Sequence, residues 1–177
     1  METDKKFQEL REEADKRSKE ADKRLDRLER LVEASTKNIN GISNSNGEFA
    51  EDYFFNVFEQ DPTLGNIHFD RVGKNMGKER SEGGNDEYDV VLYNDKSIAI
   101  IETKYKARDI DLEKVLRKAD TFRLKYPEYA KHKIYLGLAS LNFRVRTVIG
   151  QARKRGVAVI RQRGGKIVVN TENLRAY

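Results

Sequence analysis

The sequence predicts an α/β domain, a mixed β-sheet flanked by helices, with a long helix in front of it. Three observations predict this. Residues 3–37 carry a heptad pattern, an Asn/Ser/Gly-rich stretch follows, and beyond it helical periodicities alternate with short apolar runs. The expected organisation is therefore a helical, coiled-coil segment over 1–37, a linker over 38–47 and an α/β domain over 48–177.

The elements follow in order. Glu13-Ala14-Asp15-Lys16-Arg17 recurs seven residues later as Glu20-Ala21-Asp22-Lys23-Arg24, and Phe7, Ala14, Ser18, Ala21, Leu25, Leu28 and Val32 make a thin stripe. A helix this polar is not stable alone, so self-association into a homo-oligomer is expected of it. Asn38 to Gly47 reads as the linker. Residues 48–60 turn helical, with Phe54, Phe55, Val57 and Phe58 as the apolar stripe and Pro62 and Gly65 beyond its end. A strand is expected over 67–72, then a Gly-rich basic loop, then a hairpin over 88–104 turning at Asn94-Asp95-Lys96. Residues 109–126 read as an amphipathic helix with Asp109 or Asp111 as its cap. A strand apolar on both faces is expected over 133–141, a basic helix over 144–155, and a last hairpin from 157–161 and 166–170.

Composition excludes several chemistries. Without Cys, and with only two His, the chain has no disulfide scaffold, cysteine nucleophile or cysteine-ligated zinc. No apolar run approaches the ~18 residues of a membrane span, and no signal-peptide core is present, so a cytoplasmic location away from membranes is expected. Residues 1–37 hold eleven basic and eleven acidic residues, so the net charge of +5 falls on 38–177. From Phe143 to Lys166 there are eight basic residues and no acid. A one-sign segment of this kind favours a polyanionic partner.

The hairpin holds the chemistry. Side chains alternate along a strand, so Glu102 and Lys104 share a face with Ile98 and Ile100, while Asp89, Val91 and Tyr93 share one on the partner strand. With the turn near residue 95, Asp89 lies toward the same end of the hairpin as Glu102. Two carboxylates there can share a hard cation such as Mg²⁺. An ammonium two residues further can hold the attacking water and offset negative charge.

On the Asp89, Glu102 and Lys104 pattern, and on the order helix, three strands, helix, strand, the chain resembles the PD-(D/E)XK nuclease superfamily over roughly 47–170. The resemblance implies a restriction-endonuclease-like αβββαβ core and a metal-dependent nuclease, with DNA as the expected substrate. It implies Mg²⁺ or Mn²⁺ held by Asp89, Glu102 and the backbone carbonyl of Thr103, and a water positioned by Lys104. An acid on the first helix is also implied, which is Glu51 or Glu48; Glu51 shares the stripe of Phe54 and Phe55. Tyr88 stands where the family name has Pro. Asp86 and Glu87 compete with Asp89, and a register shift of one would bring Asp86 or Tyr88 to the site.

Around the hairpin, Arg144, Arg146, Arg153, Lys154, Arg155, Lys106, Lys74 and Lys78 are the candidates for contact with nucleic acid, with Gln151 a lesser one. His68 and His132 lack ligand spacing and read as surface or packing residues. Two other classes remain: a non-cleaving nucleic-acid-binding or assembly module with the same fold, and a coiled-coil interaction protein. The intact Asp89, Glu102 and Lys104 set favours a nuclease over the former, and the charge segregation speaks against the latter.

Overall fold

A computed structural model describes residues 13, 15–17, 19–20, 23, 30, 41–77, 87–143 and 146–177. The chain divides into two units, Met1–Ser45 and Asn46–Tyr177. In the first, the described residues before 41 are helical and exposed, with an ion pair of 2.7 Å between Arg17 and Glu13 one turn apart. The seam residues Ala14, Ser18, Ala21, Leu25, Leu28 and Val32 lie outside the described residues, as does Phe7.

Residues 41–60 are helical (α1). Of the stretch 38–47 expected as a linker, 41–47 are thus helix rather than loop, and 38–40 lie outside the described residues. Gly, Ser and Asn are weak helix formers, but extending an existing helix by a turn costs far less than nucleating one.

The second unit is α/β, with a mixed six-stranded sheet flanked by helices. After two short strands, β1 (Thr63–Leu64) and β2 (Ile67–His68), come β3 (Arg71–Met76), β4 (Tyr88–Tyr93) and β5 (Ser97–Ala107). Helix α2 (Asp109–Lys125) leads to β6 (Lys133–Phe143), helix α3 (Arg146–Lys154), β7 (Ala158–Arg163) and β8 (Lys166–Asn170). The sheet order is β3-β4-β5-β6-β7-β8, with β5–β6 and β6–β7 parallel and the other pairs antiparallel. The strand expected over 67–72 is broken at Phe69 and Asp70, and β3 runs on into the stretch expected to be loop. Pairing with β4 supplies the hydrogen bonds that Lys74 and Met76 could not find in a loop.

Each face of the sheet carries its own core. Val91, Ile98, Ile100, Leu136 and Leu138 pack with Leu112, Val115, Ala119 and Phe122 of α2. Val90, Leu92, Ala99, Ile101 and Ile160 pack with Phe54 and Phe58 of α1. Alternation along β4 and β5 thus sends successive residues to opposite cores. Gly137 in β6 leaves room at the centre, where a Cβ would stand 2.5 Å from Ile101 Cδ1. The hairpin turns at Asn94, whose Oδ1 accepts the N–H groups of Lys96 (3.0 Å) and Ser97 (2.8 Å). Of the two acids expected at the start of α2, Asp111 accepts the Arg108 N–H at 2.8 Å. Among the described residues, no helix is long and apolar enough to cross a membrane.

Candidate active site

The register of β4 on β5 sets Val90 opposite Ile101, so one step further sets Asp89 opposite Glu102. Both side chains fall on the α2 face and both are buried, Asp89 8% and Glu102 5% exposed. Asp89 Oδ2 accepts two bonds from Thr103, from its N–H at 2.7 Å and its Oγ1 at 3.1 Å. A strand residue turns its N–H and C=O to the same edge, so the Thr103 carbonyl faces the β4 side, beyond the last ladder pair.

Two lysines meet Glu102. Lys104 Nζ lies 2.6 Å from Oε1, as two residues along one strand face allow. Lys118 of α2 bonds Oε2 and donates to the Glu87 carbonyl at 2.6 Å. Lys118 is only 8% exposed, and its ammonium also sits over the Tyr88 ring at 5.5 Å. Tyr88 itself packs edge-on to Phe122 (5.1 Å) and hydrogen-bonds Thr121 at 3.1 Å, so the residue before Asp89 belongs to the core.

Electrostatics differ within the acid pair. Burial pushes the Asp89 carboxyl above its ordinary range and the Glu102 charge pushes it further; Lys118, the Thr103 N–H and Lys104 oppose this without cancelling it. Burial works against ionising Glu102 as well, but the two lysines outweigh it and hold its pKa below the usual value. Burial alone would lower the Lys104 pKa, yet Glu102 first, then Asp89 and Asp111, raise it. Lys104 is therefore an ammonium at neutral pH, suited to orienting a water or meeting negative charge but not to accepting a proton.

A cleft of about 490 Å³ opens over the pair, lined by Glu87, Asp89, Glu102, Lys114, Arg117, Lys118 and Thr121. The donor set fits a hard divalent cation. Two facing carboxylates and a carbonyl match the ligands of Mg²⁺ or Mn²⁺, with waters completing the shell, and such a cation would offset both the burial and the Glu102 charge that raise Asp89. Among the described residues, no third Asp, Glu or His joins them in a cluster. Glu51 is half-buried on α1, the helix that packs on the opposite core, and Glu48 is exposed.

The other expected residues scatter. Arg146 and Lys154 are exposed on α3, but Arg153 pairs with Glu172, and Arg155 pairs with Glu113 at 2.7 Å. A segment without acids in sequence is thus partly neutralised by acids from elsewhere. Lys74 pairs with Asp52 and lies 5.9 Å over the Phe55 ring. Lys106 lines a second hollow with Phe49, Tyr53, Tyr105 and Gln162. Arg144, Lys78 and Asp86 lie outside the described residues. His132 stacks edge-on to Tyr129 at 5.2 Å, and exposed His68 lies beside Thr63.

Sequence reasoning missed Lys114, Arg117 and Lys118. The signal for Lys118 was present: it follows Val115 by three and precedes Phe122 by four, which puts a lysine on the apolar face of α2. Protein-family models, curated proteins and solved structures give no match to this chain.

Proposed function

We propose that the chain is a metal-dependent nuclease of the PD-(D/E)XK type, hydrolysing phosphodiester bonds with DNA as substrate. One observation carries the reading: buried Asp89 and Glu102 and half-buried Lys104 converge on one face at one end of the β4–β5 hairpin. Support also comes from the element order α1, β3–β5, α2, β6, which is that of the αβββαβ core. Asp89, Glu102 and the Thr103 carbonyl would hold Mg²⁺ or Mn²⁺, which supplies Lewis-acid polarisation of a phosphate oxygen and a bound water of lowered pKa. Lys104 orients the attacking water and stabilises the charge that builds on phosphorus-bound oxygens. Lys118 keeps Glu102 ionised and fixes its carboxylate.

The test is cleavage of plasmid, linear, branched and single-stranded DNA with Mg²⁺, Mn²⁺ or EDTA. Glu102→Gln and Lys104→Ala are expected to abolish cleavage and keep DNA binding. Gln is used because it keeps an oxygen for Lys118 to donate to, whereas Ala would take the carboxylate away from a buried ammonium, a change that costs about 3–5 kcal/mol. Cleavage in EDTA would rule out the metal, and full activity of both variants would rule out the site.

One observation favours a second reading. Both Glu102 oxygens are already engaged by ammonium groups, so the site is partly self-neutralised, as in a module that binds nucleic acid without cutting it. Metal-independent DNA binding with no cleavage of any substrate would select that reading.

A further inference from the structure

The second hollow, of about 450 Å³, lies wholly within the second unit, where β5, β6 and β7 end. Tyr53 and Leu141, which line it, pack on the core that α1 shares with the sheet, so it opens on the face away from the acid pair. The three strands are parallel neighbours, and their carboxyl ends share one edge, where open α/β sheets form ligand crevices.

A slip in strand alternation builds its floor. Ile98 and Ile100 of β5 and Leu136 and Leu138 of β6 belong to the α2 core, but so do Ala107 and Phe143, each an odd number of residues further on. Both strands therefore lose step by one residue before they end. Fully buried Ser140 fastens the slip. Its Oγ accepts the N–H groups of Ala107 (3.1 Å) and Asn142 (3.2 Å) and donates to the Asn142 carbonyl at 2.9 Å. As a result, consecutive residues of each strand line the hollow, Tyr105 with Lys106 and Leu141 with Asn142. A regular strand would send one of each pair to the other face.

The walls are aromatic and the rim is polar. Tyr53 packs edge-on to buried Phe54 at 5.3 Å, and Phe49 stacks on Tyr53 with ring centres 6.3 Å apart and planes at 28°. Phe49 and Tyr105 are still 58% and 37% exposed, so ring surface stands open at the hollow. Lys106, Asn142 and Gln162 bring an ammonium and two amides, and among the described residues none of these side chains has a bonding partner. No acid is among the described lining residues.

Rings to stack on, amides that both donate and accept, and one free cation together match a nucleotide: base face, base edge and phosphate. The volume is within the range of small-ligand pockets. A base inside a duplex is stacked on both faces and cannot reach such rings, so the occupant has to be unpaired.

We propose that this hollow seats one unpaired nucleotide of a single-stranded nucleic acid, its base against Phe49 and Tyr105 and its phosphate at Lys106. This rests on the reading that the chain acts on nucleic acid, and it assigns the grip on single strands to the sheet face opposite the cutting site.

The test is binding of the full chain to fluorescein-labelled oligo-dT and to a duplex of equal length, read by anisotropy in EDTA so that nothing is cut. Phe49→Ala with Tyr105→Ala is expected to weaken single-strand binding by roughly 10-fold or more and to leave duplex binding unchanged. Tyr105→Phe alone keeps the ring and should keep the affinity. Lys106→Ala should flatten the salt dependence for the single strand by about 0.7. Phe49 and Tyr105 are exposed, so the double variant should keep the wild-type circular dichroism. Single-strand binding unchanged in the double variant, or lost equally with duplex binding, would overturn the hollow alone, the nuclease reading being decided separately by cleavage with Mg²⁺. A wild-type chain that cuts duplex DNA but binds no single strand would do the same. A wild-type chain that binds no nucleic acid would overturn both. A self-association lost in the double variant, with single-strand binding intact, would make the hollow an interface between copies and overturn the proposal.

Discussion

Asp89 is the residue at which stability and function pull apart. Its pKa is raised in the fold by burial and by Glu102, so between the ordinary aspartate range and the raised value the folded state holds a proton that the unfolded chain has released. Stability then falls as pH rises from the ordinary aspartate range through the folded pKa, and stays lower at neutral pH. Asp89→Asn removes the charge but keeps an oxygen to accept the Thr103 N–H. It is therefore expected to raise Tm at neutral pH by about 2–4 °C, what ~1 kcal/mol gives in a domain of this size. The gain should vanish in acid, where Asp89 is protonated anyway, and metal-dependent cleavage should be lost. Thermal melts at both pH values check this; a lower Tm at neutral pH would mean that the carboxylate is held for stability rather than for a cation.

Among the elements, α2 does work that its composition hides. Its buried face closes the core with Leu112, Val115, Ala119 and Phe122, and the edge of that face carries Lys114, Arg117 and Lys118 into the cleft. Helix α3 looks richer in cations, but Arg153 and Arg155 already have acidic partners. Exposed pairs of this kind hold by only about 0–1 kcal/mol, so they blunt α3 rather than close it to phosphate. Lys114→Ala with Arg117→Ala is accordingly expected to flatten the salt dependence of DNA binding by about 0.9 per cation lost. Arg153→Ala with Arg155→Ala should change it less. The reverse order, read from binding isotherms at several salt concentrations, would move the nucleic-acid path to α3.

Among the described residues, apolar burial is concentrated in the second unit. The buried residues of both core clusters lie within 54–177, one cluster on each face of the sheet, and α1 contributes Phe54 and Phe58 to one of them. A fragment of residues 46–177 is therefore expected to unfold in one cooperative transition, with Tm within about 4 °C of the full chain. Calorimetry of the two proteins decides it; a broad, non-cooperative melt of the fragment would show that the α/β unit depends on the first 45 residues. The same unit carries the net positive charge, so association with a polyanion should belong to the fragment as well.

Local periodicity determined the hairpin, the face shared by Asp89, Glu102 and Lys104, the apolar side of α2 and the mixed sheet. Each of these is set by side chains two to four residues apart, and the alternation of strands and the pitch of helices translate that spacing directly into faces. The helix over 41–47 was hidden by Asn, Ser and Gly, since composition measures the propensity of single residues and not the continuity of a helix. Only the tertiary structure decided which lysine meets Glu102 from across the cleft, that Glu113 and Glu172 reach the arginines of α3, and that β3 extends beside β4. Those contacts join residues 12 to 42 positions apart, and nothing in local spacing fixes them. They exist because α2, α3 and the strands of the sheet pack in one particular order, which brings charges together that the chain keeps far apart.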